Sequence, residues 1–360
     1  MKKFLWLIPA LAFLGCGKEL DLSQFSDVPR NISISDTVYV KEGEDWRSAG
    51  GRNFNQPEDI YIGHDGFVYI ADTGNDRIVM LDLAGNYIGE KFITHPVAIA
   101  QDRRFNLIVA GELIKGIYRF GAIYKIRLFE AGHNINIARV DTIYWEKEKP
   151  QRRFTGVAEL IDNSYYVCRV GPDNQSLFDP DNMILHFSKN DSLYSTEYID
   201  LTPNLEPTGS GIRSINQMSA IATFSDRRRA TDFIVAQTDP GASFKVKWFR
   251  FNPGSEVTPP NWEAYFKPNA TDMTTQNFFV SPEDITLDTR NNIYVIDAGL
   301  DSLMKFDVRG KLLKESFGPG KLGDDKLTNP KGVAWFDRIL YIADTGNNRI
   351  VRFKLSTDIR

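Results

Sequence analysis

The sequence predicts an all-β fold made by repeating one four-stranded unit and closing the units into a ring. Three observations carry this. A segment recurs as PEDIYIGHDGFVYIADTGNDRIVMLD from Pro57 to Asp82, PEDITLDTRNNIYVIDAGLDSLMKFD from Pro282 to Asp307, and PKGVAWFDRILYIADTGNNRIVRFK from Pro330 to Lys354. In these copies the leading proline and the aspartate stand 15, 15 and 14 residues apart, the fixed internal spacing of a repeat protein. Elsewhere, short runs rich in Val, Ile, Tyr and Phe alternate with Gly, Asn and Asp, and no convincing helix-period segment follows residue 16.

These copies resemble the NHL repeat, whose units are the blades of β-propellers. The resemblance is carried by the three segments quoted and extends to the middle of the chain only by implication. It implies a β-propeller. The strand count favours six blades, with seven as the alternative, because the span from Pro57 to Pro282 holds either four long repeats or five short ones. At 360 residues the chain suits one large all-β domain, and its 42% hydrophobic and 25% charged content is ordinary for a globular chain.

The N-terminus reads separately. Lys2 and Lys3 precede a short apolar run, Phe4 to Gly15, that has the shape of a secretory signal and falls short of a bilayer span. It ends Phe13-Leu14-Gly15-Cys16, which resembles the bacterial lipobox, with Phe13 departing from the usual leucine. The resemblance implies cleavage after residue 15, acylation of Cys16, and a stable lipid anchor in the cell envelope, on the periplasmic or surface side of the outer membrane. Residues 16–31 then form a tether, and 32–360 a single propeller domain. Loss of residues 1–15 moves the formal charge from −4 to −6. An acidic exported chain is a poor candidate for nucleic-acid binding. Cys168 is then the one free thiol, within the apolar run SYYVCRV, and is expected to be a buried strand residue.

The alternating, β-branched run ISISDTVYV (32–40) predicts a strand ahead of the blades. Blade 1 is expected to have strands a to d at 59–62, 67–71, 77–82 and 87–92, with Gly74 and Gly85 supplying backbone freedom in its turns. Blade 2 is assigned 95–99, 106–111, 122–130 and 135–145. Blade 3 is assigned 156–161, 164–170, 183–188 and 195–201, and blade 4 is assigned 219–225, 232–239, 244–252 and 261–266. Blade 5 is the copy at Pro282, closed by 311–318. Blade 6 is the copy at Pro330, which ends after three strands. The early strand is therefore expected to complete it and close the ring, removing sheet edges.

Alternating strand direction places the entry to strand a and the b–c loop on one face, here called upper. That face collects Asp72, Asp239, Asp297 and Asp344, and the insertions 171–182, 202–214, 267–281 and 319–329. The lower face collects Arg103, Arg104, Arg227, Arg228, Arg229, Arg290, Arg309 and Arg338, and is expected to look toward the membrane. Long loops on a rigid scaffold are where binding usually resides. The recurrent Asp-Thr-Gly-Asn turn reads as structural, its side chains bonding nearby backbone.

Glu58, Asp59, Glu283, Asp284 and Lys331 begin inner strands near the channel mouth. The four carboxylates are the candidate metal ligands, with Ca²⁺ the fitting ion because it prefers oxygen. Lys331, Asp173, Asp179, Asp181 and Asp272 are the ligand-face candidates. The gluconolactonase-like propellers and the NHL-bearing amidating lyases keep metals in such channels. The lyase pattern needs converging histidines, whereas His64, His95, His133 and His186 do not share a blade position. No Walker loop, dinucleotide fingerprint, nucleophile elbow or paired-cysteine metal motif occurs. The sequence thus predicts a membrane-anchored binding propeller that uses no cofactor and recognises protein, peptide or glycan through upper-face loops. The alternatives are a metal-dependent lactonase, hydrolase or lyase, and a scaffold subunit of an envelope complex.

Overall fold

The computed structural model describes residues 37–358, apart from 177, 195–202, 204, 259, 268–270 and 323–324. Cys16, the signal and tether segments, residues 32–36 of the first strand and the expected strand at 195–201 lie outside the described residues. The rest is all-β: six antiparallel sheets form the six blades of a propeller.

Blade 1 comprises Pro57–Ile62, Val68–Asp72, Arg77–Leu81 and Tyr87–Phe92. Blade 2 comprises Ala98–Gln101, Leu107–Lys115, Tyr118–Ile126 and Val140–Trp145. Blade 3 has Arg153–Glu159, Tyr165–Val170 and Met183–Phe187. Blade 4 has Met218–Thr223, Phe233–Gln237, Val246–Asn252 and Asn261–Ala264. Blade 5 has Pro282–Leu287, Ile293–Asp297 and Ser302–Phe306, with its fourth strand reduced to the bridges Phe306–Leu312 and Leu303–Phe317. Blade 6 has Gly332–Phe336, Ile339–Asp344 and Arg349–Leu355. Its outer strand is Tyr39–Lys41, paired antiparallel so that Tyr39 faces Leu355 and Lys41 faces Phe353. The ring closes as the missing fourth strand required.

Each b strand is buried on both faces, which explains its unbroken apolar run. In Val68–Asp72, Val68 and Ile70 pack toward blade 6, while Tyr69 and Ala71 pack toward blade 2. Tyr165 and Val167 likewise face blade 2, and Tyr166 and Cys168 face blade 4. The core is thus a set of clusters, one between each pair of neighbouring blades. Cys168 is fully buried and its thiol is pushed up by that burial.

The Asp-Thr-Gly-Asn turns are locks. Asp72 accepts from the Asn55 backbone N–H at 2.7 Å, Asn75 Nδ2 at 2.8 Å and Arg77 Nε at 2.6 Å. Asp344 repeats this with Thr328 N, Asn347 Nδ2 and Arg349 Nε at 2.7, 2.8 and 2.6 Å. The threonines donate to the next blade, Thr73 to the Pro96 carbonyl and Thr345 to that of Pro57. The left-handed residue is Asp76 or Asn348, not the glycine. Gly74 is required for proximity instead, since a Cβ there would sit 2.7 Å from the Asn55 carbonyl oxygen.

Two expectations shift. The b–c hairpin of blade 2 continues through residues 112–121, past the strand ends expected at 111 and 122, and takes in Gly111 and Gly121. They sit inside the ladder because a Cβ would meet the Thr94 carbonyl at 2.8 Å and that of Arg152 at 2.9 Å. The lower face is also less basic than its arginines suggest. Arg103, Arg228, Arg309 and Arg338 lie against Glu159, Asp226, Asp307 and Asp358. Arg229 stacks over Trp248.

Candidate functional site

The innermost strands of all six blades surround a central cavity of about 520 Å³. This falls within the size range of small-ligand sites. Each inner strand but those of blades 2 and 6 carries a register shift at its upper end, at Glu58, Thr155, Ser219 and Glu283. A bulge re-aims the side chains beside it. Blades 5, 6 and 1 are consecutive around the ring, so Glu283, Asp284, Lys331, Glu58 and Asp59 come together on one wall.

Within that wall Lys331 Nζ lies 3.0 Å from Glu58 Oε1, and Ser281 Oγ donates to Glu283 Oε1 at 2.9 Å. Asp59 Oδ2 accepts the Ile99 N–H of blade 2 at 2.6 Å. Asp284 accepts Val333 N of blade 6 at 2.8 Å and its neighbour Ile285 N at 2.7 Å. Both aspartates therefore fasten one inner strand to the next. Burial pushes the Asp59 carboxyl up to about 7, against the pull of its backbone donors, and burial together with the Asp59 charge pushes Asp284 up. Burial also raises Glu283, with Lys331 opposing. Both carboxyls therefore hold a proton more tightly than a free aspartate does, an arrangement suited to holding or transferring one.

Opposite this wall, Arg153 reaches Glu112 at 3.0 Å, and Arg119 reaches the same carboxylate at 2.9 Å. The lower end of the cavity is crossed by Glu159. Its carboxylate meets His64 Nε2 at 2.8 Å and Arg103 Nε at 3.0 Å, and its backbone carbonyl accepts from the Thr223 hydroxyl. His64 belongs to blade 1, Arg103 to blade 2 and Glu159 to blade 3, so this cluster straps three blades together below the channel. Burial and the nearby Glu159 charge raise the Tyr61 hydroxyl.

The remaining sequence candidates stand away from the cavity lining. Asp181 is fully buried and accepts Arg152 Nε at 2.7 Å and the Asp173 N–H at 2.8 Å. Asp179 bonds Arg169 at 2.6 Å and Arg152 at 2.8 Å; against the cost of burial, those two guanidiniums hold it down at about 2. Asp173 caps its own turn through Gln175 N. Asp272 accepts the Leu312 N–H at 2.9 Å, pinning the 267–281 insertion to blade 5. His95 lines the cavity, His133 sits 3.4 Å from Asp65, and His186 bonds Ser164 at 3.0 Å. Among the described residues no three His, Cys, Asp or Glu side chains are grouped to hold a metal ion.

Sequence reasoning missed Arg153, Glu112 and Glu159. Phe154 pairs across its blade at the position that Pro57 and Pro282 occupy in theirs, so the absent proline hid the true start of blade 3, and Arg153 stands one residue before it. Glu159 ends its inner strand where blades 1 and 5 place Ile62 and Leu287. A carboxylate at that aliphatic position was the available signal.

No protein-family model matches the sequence, and no curated protein matches it. Solved structures do resemble it. A gluconolactonase from Xanthomonas campestris superposes with a TM-score of 0.55 at 12% identity, covering 88% of this chain and 91% of its own. A luciferin-regenerating enzyme gives 0.54 at 12% identity, over 89% of this chain and 95% of its own. A streptogramin B lyase gives 0.50 at 12% identity, over 89% and 98%. At such identities the likeness establishes the shared propeller fold.

Proposed function

We propose that this chain is a lipid-anchored propeller of the bacterial cell envelope, built from NHL-like blades, that binds a peptide, protein segment or glycan at the upper mouth of its channel. One observation carries the reading. The cavity opens between a wall bearing Glu58, Glu283 and Lys331 and a facing Glu112–Arg153 pair, so both signs of charge and several acceptors converge on one concave space. Such a mouth suits a polar ligand held by multiple hydrogen bonds. The lipobox-like Phe13-Leu14-Gly15-Cys16 supports the anchor.

The test is a binding screen of the full chain against peptide and glycan arrays, repeated with Lys331→Ala combined with Glu283→Gln. Loss of the strongest signals in the double variant, with unfolding unchanged, is expected. Signals that survive intact place the ligand elsewhere.

A second reading is favoured by the Asp59–Asp284 pair. Two carboxyls that line the cavity and are pushed up by burial suit general acid–base chemistry on an ester or lactone. The gluconolactonase, the luciferin-regenerating enzyme and the lyase that share the fold fit this alternative. Under it, δ-gluconolactone hydrolysis is accelerated by the protein and lost in Asp284→Asn. Under the binding reading, no acceleration is seen.

A further inference from the structure

Among the described residues, the b–c hairpin of blade 2 has no counterpart in the other blades. Its strands, Leu107–Lys115 and Tyr118–Ile126, hold nine residues each, against five to seven for the b and c strands elsewhere, and stay paired up to the Gly116-Ile117 tip. The surplus length extends the hairpin at the upper face. Its end is apolar: Ile117 is 90% exposed, Tyr118 56% and Ile114 49%. Behind the tip comes an aromatic step, with Tyr118 against Phe120 and Phe120 edge-on to Trp145 at 5.1 Å. Lys115 lies over Trp145 at 4.2 Å, and Lys147 lies over the same ring at 5.7 Å. Among the described residues neither lysine has a carboxylate partner, unlike Arg103, Arg228, Arg309 and Arg338 below.

We propose that this hairpin tip docks on an anionic lipid surface. Aliphatic groups lead, aromatic rings follow, and unpaired lysines form a collar. That order matches the apolar, interfacial and charged layers met on entering a bilayer. Lysines held at an anionic leaflet gain about 1 kcal/mol each. A protein groove would take up the isoleucines but has no general need for that graded order. The docking rests on the envelope location read above, is a separate contact from the lipid anchor, and turns the upper face, not the lower one that the arginines suggested, toward the bilayer.

The test uses the full, acylated chain carrying Ile117→Cys labelled with an environment-sensitive dye; Cys168 is buried and does not compete. Vesicles of phosphatidylcholine, with and without phosphatidylglycerol, carry brominated lipid as quencher. Recovery with vesicles reports the anchor, and quenching of the dye reports the hairpin. Quenching that requires phosphatidylglycerol is expected, as is a quenched-to-unquenched ratio lowered roughly fivefold for each of Lys115→Gln and Lys147→Gln. A dye that stays in water while the protein remains vesicle-bound overturns the proposal. Shielding seen only after soluble envelope protein is added overturns it in favour of a protein partner.

Discussion

Blades 1 and 6 and blade 2 use the same b–c connection in opposite ways. In blades 1 and 6 the chain stops at an aspartate that binds two side chains and a backbone N–H, and a threonine reaches to the next blade. In blade 2 the aspartate is absent, and the ladder runs on into an apolar tip. A position occupied by a lock is committed to holding the ring. The position without one is free to project, and at its end Ile114, Ile117 and Tyr118 are left in solvent.

The widest separation between the two regions is expected from their side-chain deletions. Asp344→Ala takes a carboxylate from the buried Arg349 guanidinium, which keeps Asp45 and the Lys326 carbonyl, and strips Thr328 N of its acceptor and Asn347 of its shortest bond. Breaking such a buried pair costs roughly 3–5 kcal/mol, read as a shift in the denaturant midpoint. A loss below 1 kcal/mol would mean that the lock is ornamental. At the base of the hairpin, Gly111→Ala forces a Cβ against the Thr94 carbonyl and is expected to cost about 1–3 kcal/mol in the same assay.

The channel wall gives a smaller, pH-dependent effect. Asp59 has a folded-state value above its unfolded one, so the native state keeps a proton that the unfolded chain has released. Its contribution to stability is therefore intact below 3.8 and declines as pH rises to about 7. Asp59→Asn should raise stability at pH 8 by on the order of 1–2 kcal/mol relative to wild type while gaining nothing at pH 4. Unfolding curves at the two pH values check the sign. Smallest of all, Ile117→Ser should change stability by no more than about 0.5 kcal/mol, because its side chain packs on nothing that folding needs. A larger loss would place the tip among the structural parts.

The repeat made most of the fold legible. The recurring proline and aspartate marked three blades, two of them with the full Asp-Thr-Gly-Asn turn, and the missing last strand announced the closure by Tyr39–Lys41. The irregular blades were harder for a physical reason. Glycines at 111 and 121 answer to neighbouring blades and not to turns, a requirement invisible along one strand. The carboxylates at 58, 59, 283 and 284 were legible as a group because they recur at strand starts. Asp179 and Asp181 looked equally available, but Arg152 and Arg169, distant in sequence, consume them. Charges can be counted from sequence, whereas their partners depend on the fold.

The closing strand also determines how the molecule bears load. Tyr39–Lys41 is three residues long and enters from the lower rim. Tension at residue 37 along the disc axis pulls all of its ladder bonds at once, in shear, whereas tension directed outward would open them one after another. A second fastening stands behind it, where Trp46 and Ile350 exchange backbone bonds at 3.0 and 2.8 Å and Lys41 grips Asp325 at 2.6 Å. A chain held from its N-terminal end therefore carries axial force through a short clamp backed by a reserve, and the same clamp is weakest to a sideways pull.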